Sequence, residues 1–539
     1  MPSFVLNLLA NRAFWVLSFF GVVILTGNHA VSLWDQDEAA YAGFGRTMLE
    51  TGNWLIPEFM WSDVHRKPPL HFWLVAVSFK IFGVHEFALR IPSSLAIWGT
   101  LLMMYVFGGR LVGARHALTA VCIAGSSFLL MALAKVAVTD AVLLFFTTLS
   151  AFSMVFVLRE GSFKWVALFW FAVAMAMLTK GPPVILFAGV FGVLLLVASP
   201  QRLNLLRLHP WFFLPVTILP LFGWGWLCYQ SEEGREFIQW MLDWYILKRI
   251  GGSVFGQTGP PGTHFLGMVL FFLPFVLFLP RALVRGFRSL YLRTWNNELL
   301  ISLWFIAGWL LFEFTPSKLP AYVVAAHIPL SFMLAGALLN HKDSASKPGT
   351  PWWVMHYLLQ FVVLVALAVL PFYLDLSAGT KMVFLAVILF IAVLHIYSLT
   401  HLNRPTFFAW FLKVPMVFAL LVWGLLLPIS DDLKNSSMRI ANYLSEQLPA
   451  EAPVVIANNW SHPPSLPFYL TESFQTVFEA YDPETLVRHY HENEHIAIIL
   501  NEDGKLHFEK ELPNVEFSAF YPVFTDRLDQ PGYFVVVKK

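Results

Sequence analysis

The sequence predicts an α-helical polytopic membrane protein with about thirteen transmembrane helices and a small soluble α/β domain at the C-terminus. Apolar residues make up 58% of the 539 residues and charged residues only 13%, a composition typical of membrane proteins. Apolar stretches long enough to cross a bilayer recur up to residue 428, after which the chain becomes more polar. The net charge of +1 argues against nucleic acid as a partner, because binding to a phosphate backbone requires a basic face.

The predicted spans share a length of about 20 residues and few charges. They lie near 13–33, 88–108, 116–134, 140–158, 165–179, 182–198, 209–229, 263–281, 299–315, 319–339, 352–372, 380–399 and 406–428. The first is interpreted as an uncleaved signal anchor, because no convincing small-residue cleavage site follows it. The stretch 69–83 is short and contains Lys80, so we expect an amphipathic helix at the membrane interface.

Lysines and arginines in the short loops set the predicted orientation, because these residues are enriched on the cytoplasmic side. The opposite face then receives every unusual polar motif of the chain. We therefore expect a multi-pass membrane protein, with a transmembrane domain over 1–430. Its outer face would include the 34–87 loop, which contains interfacial helices, and a flexible loop over 230–262. Residues 431–539 would form a soluble α/β domain on the outer face.

The soluble domain is predicted from a change of pattern near residue 430. Helical periodicity extends over 431–448. Short β-type runs follow at 454–456, 496–499 and 534–537, with glycines and prolines as turns between them. This alternation predicts a small α/β fold.

Charged residues cluster in the loop after the first span, beginning with Asp37 and Glu38. In a helix, Asp37 and Tyr41 would be i,i+4 neighbours on one face. The tyrosine would then fix a carboxylate that acts as a general base or orients a hydroxyl. The alternative is that Asp35 to Glu38 cap an interfacial helix, because acidic residues suit a first turn.

Residues at span ends on the same predicted face form a second group of candidates. Lys67 follows Arg66 and precedes a rigid Pro-Pro turn, which suits either a phosphate or lipid headgroups. Lys180 and Lys318 each lie between two spans. Snorkelling to the interface is the ordinary role of such lysines, and an anion site is the alternative. Asp140 begins a span and is either a plain helix cap or a functional acid.

The predicted outer loop 230–262 contains Asp243, followed by Lys248 and Arg249 and then by two glycines. One interpretation is a mobile flap that has glycine hinges and whose cations meet a phosphate. The other is an amphipathic connector with solvated charges. The sequence leaves both open.

Metal ligands are scarce in the sequence. His491 and His495 have the i,i+4 spacing of a zinc-binding helix, but no second ligand cluster accompanies them. Cys122 and Cys228 lie in apolar runs and are interpreted as buried thiols. We therefore predict no metal site and no other cofactor, and the sequence gives no support for a divalent cation.

Taken in order, these motifs resemble those of the bacterial GT-C membrane glycosyltransferases. The similarity is to the lipid A 4-amino-4-deoxy-L-arabinose transferases and the protein O-mannosyltransferases, and it covers most of residues 1–340. It rests on Asp37-Glu38-x-x-Tyr41, Gly52-Asn53-Trp54 with Pro57, Lys67-Pro68, Arg90, Thr139-Asp140, Thr179-Lys180-Gly181-Pro182 and Ser317-Lys318-Leu319-Pro320-x-Tyr322.

The resemblance implies a multi-pass protein of the bacterial inner membrane with residues 431–539 in the periplasm. It further implies an inverting transferase that moves a sugar from a polyprenyl-phosphate donor, of the undecaprenyl-phosphate type, to an acceptor on the periplasmic face. The acceptor would be a lipid, a glycan or a protein. Donor, acceptor and membrane lipids are the expected partners, and the chain is expected to act as a monomer.

The resemblance also assigns roles to the candidate residues. The catalytic acids would be Asp37, Asp140 and Glu38. The residues that hold the donor phosphate would be Lys67, Lys248, Arg249, Tyr322 and Lys318. The residues that position the substrate would be Tyr41, Lys180 and Asp243.

Ala40 stands where the arabinose transferases carry arginine, and this departure leaves the sugar and the acceptor open. Arg66 stands where they carry glutamate and an outer-loop histidine of theirs is replaced, by Asp243, and these two departures argue against a metal site there. A different class, a polytopic transporter or lipid-linked-sugar flippase, shares the many spans. Transporters place ionisable groups near mid-membrane, whereas here they lie at span ends on one side. A non-catalytic scaffold for the C-terminal domain would leave the loop 34–73 without a role.

Overall fold

A computed structural model of the chain shows a largely helical protein with one small β-sheet. It describes residues 11–34, 37–59, 66–243, 258–292, 294–339, 350–374, 376–401, 407–429, 434–458, 465–470, 474–480, 482–522 and 532–539. The predicted phosphate-binding residues Lys248 and Arg249 lie outside these ranges.

The helices up to residue 426 form the apolar part of the chain. They are α1 (Arg12–Leu25), α2 (Asp37–Thr51), α3 (Leu70–Phe82), α4 (Glu86–Val112), α5 (Ala114–Gly125), α6 (Phe128–Lys135), α7 (Thr139–Glu160), α8 (Phe163–Lys180), α9 (Pro183–Ala198), α10 (Pro210–Cys228), α11 (Glu232–Leu242), α12 (Thr263–Phe271), α13 (Leu279–Leu292), α14 (Asn297–Glu313), α15 (Val324–Leu339), α16 (Thr350–Tyr373), α17 (Ala378–Leu399) and α18 (Phe407–Leu421). Short 3₁₀ turns at Arg202–Leu208, Phe275–Phe278 and Pro320–Val323 and a π-helical turn at Val422–Leu426 connect or extend them.

These helices confirm a polytopic membrane protein, although the predicted number of spans is not reached by length and composition alone. Among the described residues, 8 helices are long and apolar enough to cross a membrane, or 10 if two bent helix pairs each count as one span. The bends measure 66° between α5 and α6 and 120° between α12 and the segment that ends with α13. Helices α1 and α9 are apolar but only 14 and 16 residues long.

By their contacts, residues of the chain form two compact units. The membrane unit comprises Met1–Thr26, Arg66–Leu74 and Arg90–Leu426, and the C-terminal unit comprises Gly27–His65, Val75–Leu89 and Leu427–Lys539. The C-terminal unit thus includes most of the 34–87 segment, which the sequence analysis places with residues 1–430. The division into domains 1–430 and 431–539 stays a prediction.

Aromatic and small residues pack the membrane unit. The buried Trp304 of α14 meets Phe152 of α7 edge to face, with ring centroids 5.0 Å apart. Helices α14 and α15 approach so closely that a Cβ at Gly308 would lie 2.7 Å from the backbone nitrogen of Ala326. Such contact requires glycine, and it holds the two helices at a distance that larger residues would not allow.

The C-terminal unit contains a five-stranded mixed sheet in the order β2-β1-β3-β5-β4. Its elements after residue 430 are α19 (Ser436–Gln447), β1 (Pro453–Asn458), α20 (Leu466–Tyr469), β2 (Gln475–Ala480), α21 (Pro483–Glu492), β3 (Ile496–Leu500), α22 (Glu502–Glu511), β4 (Phe517–Phe520) and β5 (Tyr533–Lys538). Strands β2, β1 and β3 are parallel, and β5 pairs antiparallel with β3 and β4. The fold confirms the predicted α/β class.

A buried polar network ties the start of the 27–51 segment to the rest of the C-terminal unit. Asn435 caps α19 and donates its amide hydrogens to the carbonyl of Leu33 and to the hydroxyl of Ser465, both at 2.8 Å. The backbone N–H of Asn435 donates to Ser32 Oγ at 2.9 Å. The Tyr469 hydroxyl accepts from the backbone N–H of Leu33 at 2.8 Å. One asparagine therefore joins three segments distant in sequence.

This network predicts a stability difference between two asparagine caps. Asn435→Ala should lower the free energy of unfolding of the C-terminal unit by about 2–3 kcal/mol, because it removes a cap and two buried hydrogen bonds. Asn501→Ala removes only the cap of α22, formed with the N–H of Gly504, and should lower it by about 1 kcal/mol. Amide hydrogen exchange in β1 and β3 measures both; equal losses would contradict the network's contribution.

Candidate functional site

The membrane unit contains an apolar groove of about 600 Å³ between helices α8, α10 and α11 and the segment before α3. Its walls are mostly aliphatic and aromatic side chains. They come from Met177, Ile218, Leu221, Phe222, Trp224, Trp226, Ile238, Met241 and Leu242. Two charged residues, Lys67 and Lys180, also line it. The groove thus combines an apolar surface with two cations, which suits an amphipathic ligand that has an anionic group.

The corner between α10 and α11 gives the groove its shape. Ser231 caps α11 by accepting a hydrogen bond from the backbone N–H of Gly234 at 3.0 Å. A Cβ at position 234 would lie 1.9 Å from the carbonyl oxygen of Cys228, so only glycine permits this approach. Phe237 of α11 is fully buried, and its ring meets Trp224 of α10 edge to face at 6.0 Å. These contacts hold α11 against the end of α10.

Lys180 ends α8 and pairs with an acid at the start of α7. Its Nζ lies 2.7 Å from Asp140 Oδ1, and the two side chains are only 15% and 14% exposed. The acid stands in the first turn of α7 and the lysine in the last turn of α8, which complements both helix dipoles. The ammonium also lies 5.9 Å from the ring centroid of Tyr322. The structure therefore brings these three predicted residues together.

Lys67, the second cation of the groove, is buried, with 7% of its surface exposed. It precedes the Pro-Pro turn that leads into α3, and His71 follows in the first turn of that helix. Burial is the main cause that lowers the pKa of the His71 imidazole to about 3, and the neighbouring Lys67 ammonium acts in the same direction. His71 is therefore neutral at physiological pH and does not supply a proton or a positive charge to the groove.

Lys318 has a different environment from Lys67 and Tyr322, the other predicted phosphate ligands that the structure describes. Its side chain is buried and donates to the backbone carbonyl of Glu313. The Glu313 carboxylate accepts from the backbone N–H groups of Gly262, His264 and Phe265 at 2.7, 3.3 and 3.0 Å. Glu313 thus caps α12, and Lys318 anchors the end of α14. Glu313 is not among the residues predicted from the sequence, although an acid inside an apolar span is the signal that marks it.

In the C-terminal unit, the acids at the start of α2 divide into two roles. Asp37 is exposed, and its Oδ1 accepts a hydrogen bond from the hydroxyl of the buried Tyr41 at 3.1 Å. Glu38 is fully buried, and its Oε2 accepts from the backbone N–H of Trp34 at 3.0 Å. The capping alternative of the sequence analysis therefore describes Glu38, while the predicted Asp37–Tyr41 pair is present.

Arg46 fastens the same helix to its own unit. The guanidinium donates to the backbone carbonyls of Pro467 and Phe468 at 3.4 and 3.3 Å and pairs with Glu50. Helix α2 is thereby fixed to α20 by backbone contacts. The exposed Asp37 is carried on a helix that is held at its start and in its middle.

The remaining predicted residues are placed as follows. Asp243 directly follows α11 and is exposed. Helix α21 ends at Glu492, so His491 and His495 do not lie on one helix. Within the described ranges, no group of three His, Cys, Asp or Glu side chains could hold a metal ion.

Sequence comparisons connect the groove region to known transferases. The family model for dolichyl-phosphate-mannose-protein mannosyltransferases matches residues 66–226. The chain is 28% identical over 337 residues to the Pseudomonas fluorescens undecaprenyl phosphate-alpha-4-amino-4-deoxy-L-arabinose arabinosyl transferase 1, covering 60% of this chain and 59% of the relative. It is 24% identical over 439 residues to the corresponding Shewanella sediminis transferase, covering 79% and 78%. The chain thus spans about three fifths of the length of the first of these relatives.

The fold is similar over nearly the whole chain to that of a solved structure, ArnT from Cupriavidus metallidurans bound to undecaprenyl phosphate. The TM-score is 0.73 at 18% sequence identity, covering 98% of this chain and 99% of that protein. A TM-score of 0.70 relates the chain to the same protein in its apo state. At this level of identity the similarity concerns the fold. In sequence and in fold, the chain resembles the GT-C membrane glycosyltransferases.

Proposed function

We propose that this chain is an inverting glycosyltransferase that moves a sugar from a polyprenyl-phosphate donor to a lipid, glycan or protein acceptor. The reaction would take place on the periplasmic face of the inner membrane, where we also place the C-terminal unit. The observation that carries the proposal is the apolar groove lined by Lys67 and Lys180. The names of the relatives specify an undecaprenyl-phosphate donor, which matches such a groove.

The groove favours a lipid phosphate on energetic grounds. A lysine ammonium is costly to bury among apolar side chains unless an anion balances it. Asp140 balances Lys180. A ligand phosphate would place further negative charge next to both lysines, while its isoprenoid tail covers the walls formed by residues such as Leu221, Trp226 and Met241. One ligand would thus pair its phosphate with the two lysines and cover the apolar walls with its tail.

The chemistry assigns distinct roles to the cations and to Asp37. The bond between the anomeric carbon and the phosphate oxygen breaks, and a bond from the acceptor to the same carbon forms on the opposite face. Lys67 and Lys180, with Tyr322 beside Lys180, stabilise the negative charge that grows on the departing phosphate. Asp37 is the carboxylate that takes the acceptor proton or steadies the cationic anomeric centre, with Tyr41 fixing its orientation.

Three further assignments follow from the contacts. Asp140 acts through Lys180 by holding the ammonium in place. Glu38 is assigned to the start of α2, and Lys318 to the cap formed by Glu313, because each is occupied by backbone partners. Lys248 and Arg249 keep the proposed role of binding the donor phosphate, and Asp243 that of positioning the substrate. A monomer is sufficient for this scheme, since one chain supplies all of these residues.

Removal of either groove lysine should weaken binding of the lipid phosphate. Lys67→Gln and Lys180→Gln should each raise the Kd of undecaprenyl phosphate by about 10- to 100-fold, because each deletes a charge-assisted hydrogen bond. Titration of the purified full-length protein in nanodiscs, followed by native mass spectrometry, measures these constants. Lys80→Gln is the matched control, since Lys80 is an exposed lysine on α3. A control that loses as much affinity would show that general charge, and not the groove, binds the phosphate.

Substitution of Asp37 should stop transfer without removing donor binding. Asp37→Asn should reduce the glycosylated product by about 100-fold or more, because the amide neither accepts the proton nor stabilises positive charge. Tyr41→Phe should reduce it by about five- to tenfold through loss of one orienting hydrogen bond. Mass spectrometry of lipid-linked sugars and envelope glycans, in cells that express each variant in place of the wild type, measures both effects.

Glu50→Gln provides the control on the same helix, because Glu50 is half exposed and pairs with Arg46. Its product level should match that of the wild type. Full product formation by Asp37→Asn would remove Asp37 from the reaction.

A further inference from the structure

Arg66, the residue before the groove lysine Lys67, stacks on helix α11. Its guanidinium carbon lies 5.2 Å from the ring centroid of Phe237 and 5.9 Å from that of Trp240. All three residues belong to the membrane unit. An arginine on two aromatic rings is an attractive contact, and it is strongest where water is excluded, as around the fully buried Phe237.

The stacked residues lie on a different face of α11 from the residues that line the groove. Ile238, Met241 and Leu242 form the wall of the groove. At 100° per residue, their mean direction is turned by roughly 120° from that of Phe237 and Trp240. The guanidinium therefore contacts one face of α11, and a different face of this helix lines the groove.

A chain of contacts extends from Arg66 to the opposite wall. Phe237 touches Trp224, which itself lines the groove on α10. Lys67, bonded directly to Arg66, contributes one of the two cations. The consecutive residues Arg66 and Lys67 thus connect the groove wall that would contact the lipid tail to the cation that would bind the phosphate.

We propose that Arg66 is a positioning residue for the lipid tail: it clamps α11 so that the groove accepts a long isoprenoid chain. The inference rests on the proposed function for the identity of the ligand, and it goes further by naming a specificity determinant. Its signature is a preference for long chains over short ones that carry the same phosphate. A residue that contacts only the phosphate would affect both equally.

The test compares two probes on the purified full-length protein, undecaprenyl phosphate and the ten-carbon geranyl phosphate, by native mass spectrometry in nanodiscs. Arg66→Gln should raise the Kd of undecaprenyl phosphate by about tenfold and that of geranyl phosphate by less than about twofold. Trp240→Leu, which removes one of the two rings, should change the same ratio in the same direction. The Arg66→Gln/Trp240→Leu double variant should raise the Kd of undecaprenyl phosphate no more than Arg66→Gln alone, because both substitutions disrupt the same interaction.

Arg115→Gln is the matched control, since Arg115 stacks on the ring of Phe408 at 5.8 Å, away from the residues that line the groove. It should leave both constants within about twofold of the wild type. An equal loss of affinity for both probes in Arg66→Gln, or no loss for either, would contradict the proposal that Arg66 positions α11 for the lipid tail. Because the readout is binding, a wild-type protein that binds undecaprenyl phosphate but transfers no sugar would contradict the proposed function and leave this test intact.

Discussion

The ion pair between Lys180 and Asp140 is the interaction on which the membrane unit depends. Two charges at the ends of apolar helices would each cost several kcal/mol if left alone, and at 2.7 Å they offset each other. The pair joins the start of α7 to the end of α8, after which Gly181, with φ of +78°, turns the chain towards α9. A cation is thereby retained in an apolar groove without destabilising the surrounding helices.

A second buried pair of opposite charges in the membrane unit, Glu313 and Lys318, has a different set of partners. Glu313 and Lys318 are more deeply buried, and their partners are backbone groups, the Trp309 indole and each other. Such a pair stabilises a helix start and leaves little capacity for a ligand. The contrast between two lysines that the sequence treats alike shows that burial alone does not identify an anion site. What distinguishes Lys180 is its position in the lining of a groove of about 600 Å³.

Much of the fold could be predicted because bilayer thickness limits the length of apolar helices and because β3 and β5 are continuous apolar runs. Strands β2 and β4 could not, since QTVFEA and FSAF carry too little alternation to separate them from loops. The sequence indicates only that Lys180 and Asp140 lie on the same side of the membrane. It does not predict their ion pair, since sequence gives no distances between separate helices. The stacking of Arg66 on α11 depends on packing, which residue spacing does not reveal.

A structure of the full chain with undecaprenyl phosphate would test the central claim most directly. The phosphate should lie within about 3 Å of Nζ of Lys67 and of Lys180, with the tail along α10 and α11 next to Leu221 and Met241. A phosphate bound away from both lysines, or a tail that leaves the groove empty, would contradict the assignment of this groove as the donor site.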